Sequence, residues 1–247
     1  DKIDLEKYWR TNLAKFEVTD MEEKKFIVLI TSRGCPHDCS FCTATLMGGR
    51  RYRTREIDDV VAEIRANQKS YGIEEVHFWD DNFFVNSKLL KKLLRRLIHE
   101  FPELTFQTPS GTEINALDNE VIDLMAEAGF SKVFLAIESA NEEIQQSSVD
   151  KKVNLDRVPQ VVERIRQTGM LAEGHFMVGF PGETRAQADH TFDRAPEFGL
   201  DRIAISIVNP LPGTRLYEEC EEAGLFQDDF DPHNIRYSTE NLRFDDM

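Results

Sequence analysis

The chain has 247 residues, about 40% of them apolar, which is enough for one sizeable core and argues against disorder. Its formal charge of −15 repels phosphate backbones and anionic membrane surfaces, so nucleic acid as a partner gets no support. No apolar run approaches the roughly 18 residues of a membrane helix and no signal-peptide pattern opens the chain, so a cytoplasmic location with reduced thiols is expected.

Residues 1–25 read as a linker or the remnant of a preceding domain. From residue 26 to about 225, short β-rich runs alternate with amphipathic stretches. The runs are FIVLIT (26–31), EVHFWD (75–80), LTFQTP (104–109), KVFLAIES (132–139), HFMVGF (175–180) and RIAISIVNP (202–210). Most are nearly continuously apolar, as strands buried on both faces of a parallel sheet require. Helical patterns fall at 55–70, 87–100, 119–128, 155–168, 185–198 and 214–223. Thr184 and Gln187 form a capping box, Asp118, Thr214 and Asn86 or Ser87 suit N-caps, and Gly129, Gly169, Gly199 and Gly224 follow helices. Six strand–helix units give an α/β fold, either a partial (β/α)6 barrel or an open doubly wound sheet. In both, function belongs at the carboxyl ends of the strands. Residues 226–247 read as an acidic, aperiodic extension.

The loop after the first strand holds three of the four cysteines, Cys35, Cys39 and Cys42, spaced C-x3-C-x2-C. A structural zinc site calls for four ligands, commonly in C-x2-C pairs, and only His37 lies near enough in sequence to be the fourth. Three thiolates on one loop suit three corners of a cubane iron–sulfur cluster and leave one iron open to a substrate. A pure electron carrier would close that corner. Cys220 reads as an ordinary helix residue. The arginines of GGRRYRTR (48–55) either pair with the chain's many carboxylates or form a local anion site beside the cysteines.

The cysteine spacing, with Phe41 before the last cysteine and the first strand of a six-unit barrel just ahead, resembles the signature of the radical S-adenosylmethionine (SAM) superfamily. The resemblance covers about residues 26–225. It implies a partial barrel of parallel strands and a [4Fe-4S] cluster on Cys35, Cys39 and Cys42. It also implies SAM chelated at the open iron and cleaved by one electron to methionine and a 5′-deoxyadenosyl radical. The electron would come from a reductant such as flavodoxin or ferredoxin.

Asp80, Asp81 and Asn82 end the second strand where the family carries a short motif for the SAM amino group, and Asp81 and Asn82 are the expected contacts. Glu138 and Ser139 end the fourth strand and resemble contacts to the ribose or the polar end of SAM, with helix capping as the other account of Ser139. Gly179 in GFPGE resembles the family's turn beside the ligand, and Val208 and Asn209 the segment along adenine. Ser110, Gly111 and Thr112 fit plain turn chemistry, while His175 and Met177 fit core positions.

GRRYR, DDNF, GFPGET and PLPGT together resemble the branch often fused to a cobalamin-binding domain, which includes methylases of unactivated carbon, ring-forming enzymes and lipid- or pigment-modifying enzymes, and implies a small-molecule or lipid substrate and cobalamin as a further cofactor. The base-off cobalamin motif D-x-H-x-x-G is absent; Asp231-Pro-His233 is its nearest match and lacks the glycine. A methylthiotransferase or other RNA-modifying relative is the alternative, along with an iron–sulfur electron-transfer module.

Overall fold

A computed structural model describes residues 7, 24–151, 153–233, 235 and 241–243. Of the expected extension at 226–247, residues 226–233, 235 and 241–243 are described, and of the segment before residue 24 only residue 7.

Six parallel strands follow one another in space as in sequence: β1 (Phe26–Leu29), β4 (Glu75–Phe78), β5 (Thr105–Gln107), β6 (Lys132–Glu138), β7 (Leu171–Val178) and β8 (Arg202–Ile207). β1, β4 and β5 pair in one three-stranded sheet and β6, β7 and β8 in another. Bridges join the two between β5 and β6, at Phe106 with Phe130 and Thr112 with Leu135. Among the described residues no pairing joins β8 back to β1, so the array is a partial barrel rather than a closed one. Two further strands, β2 (Ser32–Arg33) and β3 (Arg53–Thr54), form a two-residue antiparallel ladder outside this array.

The helices are α1 (Ala44–Gly48), α2 (Ile57–Tyr71), α3 (Ser87–Glu100), α4 (Asn119–Ala128), α5 (Val158–Gln167), α6 (Arg185–Arg194) and α7 (Arg215–Glu222). Their starts are capped as their sequences require. Asn86, Asp118 and Thr214 each accept a backbone N–H three residues on, and Thr184 with Gln187 closes the capping box. The four glycines after the helices all carry positive φ.

Alternation along each strand splits the sheet faces. Phe78, Phe106, Leu135 and Phe176 turn toward the helices and share the main core with Ile64, Leu94, Met125 and Ile165. The other face is polar, with Glu75, His77 and Gln107 on β4 and β5 and Glu173 and His175 on β7. A second, smaller core gathers Ile144, Val149, Phe180, Val208, Leu216, Cys220 and Leu242. Leu242 reaches it through an antiparallel bridge to Phe226, so the described end of the chain packs against the barrel. Cys220 is fully buried there, and burial pushes its thiol up to about 11, in keeping with a packing role. No helix among the described residues is long and apolar enough to cross a membrane.

Candidate active site

The loops leaving the carboxyl ends of the six strands converge around the cysteine loop, which is held at its base and at its tip. At the base, Ser32 and Arg33 pair with Thr54 and Arg53. Inside that ladder the Cys35 N–H donates to Gly49 O at 3.1 Å. Gly34 has φ +87°, and a Cβ there would stand 2.5 Å from Arg51 O and 2.7 Å from Gly49 O, so only glycine fits. At the tip, Ser40 is bonded to Ser148 O, Val149 O and the Leu216 N–H. Arg215 donates to Asp38 O at 3.1 Å and pairs with Asp150 at 2.9 Å. Phe41 sets its ring edge-on to Phe180, with centroids 6.2 Å apart, and joins the second core. Phe41 thus anchors the loop next to Gly179.

The β4 end braces the same loop. Asp80 is buried and accepts from Thr31 N–H at 3.1 Å, Thr31 Oγ1 at 2.7 Å and Ser32 Oγ at 2.5 Å. Burial raises its pKa against the pull of these bonds. Asp81 accepts the Gly34 N–H at 2.6 Å and abuts Gly48, so its carboxylate is committed to loop geometry. Asn82 faces the thiols instead: its Nδ2 lies 3.8 Å from Cys35 Sγ and 3.5 Å from Glu113 Oε2, while its Oδ1 accepts from Phe84 N–H at 3.0 Å.

Glu113 and Lys151 are the two residues that the sequence reading missed. Glu113 follows β5 and pairs with His37 of the cysteine loop at 2.8 Å. Lys151 is half-buried and donates to Glu138 Oε1 and to Ala136 O, both at 2.9 Å. Burial works to lower its pKa, but the Glu138 carboxylate outweighs that and the pKa is raised. Glu138 stands at a bulge in β6 with φ +69°, a conformation rare for non-glycine residues that turns the strand end.

The three thiols lie within electrostatic reach of one another, and Cys39 also feels Lys151 and Glu138. Burial pushes the Cys39 thiol up to about 12 and raises Cys42 as well. Among the described residues no three His, Cys, Asp or Glu side chains gather around a single ion position. Ligands to separate corners of a cluster do not need to converge in that way, whereas ligands to one zinc ion do. The donor set therefore fits a cluster better than a single ion.

Other expected contacts have their side chains engaged elsewhere. Ser139 is fully buried, shares a hydrogen bond with Thr191 and caps the following turn through the Asn141 N–H, which is the capping account. Val208 lies in the second core, and Asn209 is bonded to Asn241. Gly179, at φ +88°, donates its N–H to Glu183 at 2.6 Å in a turn closed by that buried carboxylate. His175, read as a core position, instead lies on the polar face of β7, partly exposed, with its Nε2 3.1 Å from Glu173. Among the arginines, Arg50 pairs with Asp38 and Arg55 with Glu63, as expected for an acidic chain.

Comparison with known proteins agrees with this architecture. Residues 29–195 match the family model of the radical SAM superfamily. The chain is 33% identical over 217 residues to the cytidylyl-2-hydroxyethylphosphonate methyltransferase of Streptomyces wedmorensis, an alignment that spans 85% of this chain and 40% of that protein. It is 28% identical to the bacteriochlorophyllide d C-12(1)-methyltransferase of Chlorobaculum tepidum, over 84% of this chain and 46% of that one. In fold it matches the radical SAM methyltransferase TsrM from Kitasatospora setae, solved with cobalamin and a [4Fe-4S] cluster, at a TM-score of 0.73 and 23% identity over 84% of this chain and 42% of that one. The chain thus spans less than half the length of these relatives. Its matched residues run from the first barrel strand to the end of α6, include the cysteine loop and every strand but the last, and place the chain in the radical SAM superfamily.

Proposed function

We propose that this chain is the SAM-cleaving barrel, residues 26–225, of a radical SAM enzyme that transfers a methyl group to a small-molecule substrate. The observation that carries the reading is the cysteine loop itself. Three thiols stand on a segment braced at both ends, facing an amide, two carboxylates and a half-buried ammonium that follow three other strands.

Cys35, Cys39 and Cys42 would hold the [4Fe-4S] cluster, which together with SAM and one electron from a flavodoxin- or ferredoxin-type donor supplies a 5′-deoxyadenosyl radical. The chain's own side chains bind and orient. Glu113, beside Asn82, is the carboxylate left to meet an ammonium group, because Asp81 is spent on Gly34. Lys151 offers the cation for a carboxylate, and Glu138 the acceptor for hydroxyls. Phe41 against Phe180 closes the loop side with apolar surface and keeps water out.

Methyl transfer is the reaction class that the names of the two methyltransferase relatives support. Cobalamin would serve such a transfer; the nearest match to its base-off motif, Asp231-Pro-His233, is a turn in which the His233 N–H donates to Asp231 at 2.9 Å. Iron and sulfide content after anaerobic reconstitution tests the ligand set. Wild type and Cys220→Ala are expected to take up a full cluster and Cys39→Ala little iron; equal uptake by all three would remove the basis of the reading.

A further inference from the structure

The outward face of the cysteine loop carries charge and apolar surface that the proposed site does not use. Arg33 and Arg53 stand directly opposite one another in the β2–β3 ladder, and like charges across a strand pair destabilise it. The Arg53 guanidinium is absorbed by Arg51 O at 2.7 Å and Gly48 O at 2.8 Å. Arg50 and Arg55 have carboxylate partners, but among the described residues no ion pair engages Arg33 or Arg51. Beside them on α1, Met47 is 85% exposed and Leu46 55%. A groove of about 390 Å³ runs along β1 and is walled by Arg33, Arg53 and Arg55, with Glu63 paired to Arg55.

This face lies close to the thiols. Arg33 is two residues from Cys35, a span of at most about 7 Å along the backbone, and α1 begins two residues after Cys42. With a net charge of −15, most of the molecule repels an acidic partner, so such a partner is steered toward a face such as this one, where arginines beside the cysteine loop have no carboxylate partner among the described residues. A small apolar centre rimmed by positive charge suits a weak, fast encounter, the class to which electron-transfer complexes belong.

We propose that Arg33, Arg51, Met47 and Leu46 form the docking face for an acidic one-electron carrier protein of the flavodoxin or ferredoxin type. The inference rests on the cluster reading above. One electron would leave the carrier, oxidising it by one, and would reduce by one the cluster that Cys35, Cys39 and Cys42 would hold, with no bond or proton moved at the surface.

The test is stopped-flow mixing of the anaerobically reconstituted full-length protein with flavodoxin hydroquinone, following the bleaching of cluster absorbance. The wild-type rate is expected to fall at least about 10-fold between about 20 and 200 mM salt, as screened steering requires. Arg33→Glu with Arg51→Glu is expected to lower the low-salt rate at least about 10-fold and to flatten the salt dependence. Met47→Glu, at an exposed position where folding is not at stake, is expected to slow the carrier as well. Dithionite, which needs no docking face, should reduce every form at one rate. Carrier rates that are insensitive to salt and to both variants, with dithionite reduction intact, would overturn the docking face and point to another part of the full-length chain covering it. A wild type that dithionite cannot reduce would overturn the cluster reading itself, and the docking face with it.

Discussion

Glu113 shows how a single side chain can be chemically central and silent in sequence. It follows TPSGT, a stretch whose composition reads as a turn, and nothing in its spacing separates it from the chain's other carboxylates. Its place is set by the Thr112 bridge to Leu135, where the Thr112 N–H donates to Phe134 O at 2.6 Å and carries the next residue to the cysteine loop. Lys151 was hidden for a similar reason. It follows a π turn (Gln145–Val149) and a left-handed Asp150, an irregular stretch with no periodic signal. Asp81, by contrast, was legible as a polar group surplus to helix capping, but its use in bracing Gly34 depends on a contact between strand ends 47 residues apart. We expect Glu113→Gln to weaken SAM binding to the reconstituted protein about 10-fold while leaving iron content unchanged, since a charged hydrogen bond is worth about 1.5–3 kcal/mol. Equilibrium dialysis checks this; unaltered affinity would return the ammonium to another carboxylate.

Among the elements, the cysteine loop depends on backbone packing that has no slack. In Gly34→Ala the new methyl meets two backbone carbonyls at a positive φ, so the β2–β3 ladder must open. The expected cost is at least about 2 kcal/mol in urea unfolding, with reduced iron uptake, because left-handed strain and a clash add together. Full stability and iron content in that variant would show that the loop is not braced as described. The larger elements were readable because their signals are periodic and capped: α3 and α4 occupy the expected residues 87–100 and 119–128. Where reading fell short, the cause is local. β2 and β3 have two residues each, too few for a period to register. β7 starts at Leu171, four residues before the expected run, because Glu173 and Gly174 interrupt its apolar character. At Gly174 a Cβ would stand 2.5 Å from the Leu200 side-chain tip, which packs over the glycine.

Across the whole molecule, the polar face of the strand array is held together by Glu75. Its carboxylate accepts from His77 at 2.6 Å, Gln107 at 2.9 Å and Thr105 at 2.9 Å, tying β4 to β5. Burial alone would raise its pKa, but the His77 contact and the other donors outweigh it and bring the group down to about 2 from an ordinary 4.5. A depressed carboxylate stabilises the fold above the unfolded value and loses that contribution as pH falls through the folded one. Wild type should therefore exceed Glu75→Gln by roughly 3 kcal/mol at neutral pH, with the gap shrinking between about pH 4.5 and 2. A gap that does not change with pH would assign the difference to packing. The succession of six strand–helix units was visible in the sequence, since continuous apolar runs recur at each unit, whereas the spatial order of the strands was not, because a partial barrel and a doubly wound sheet share that pattern.

The account as a whole is tested most directly by incubating the reconstituted protein with dithionite and SAM and measuring 5′-deoxyadenosine. We expect it from wild type and from Cys220→Ala and not from Cys39→Ala. A wild type that holds its cluster, binds SAM and yet releases no 5′-deoxyadenosine would contradict the reading of this barrel as a SAM-cleaving site.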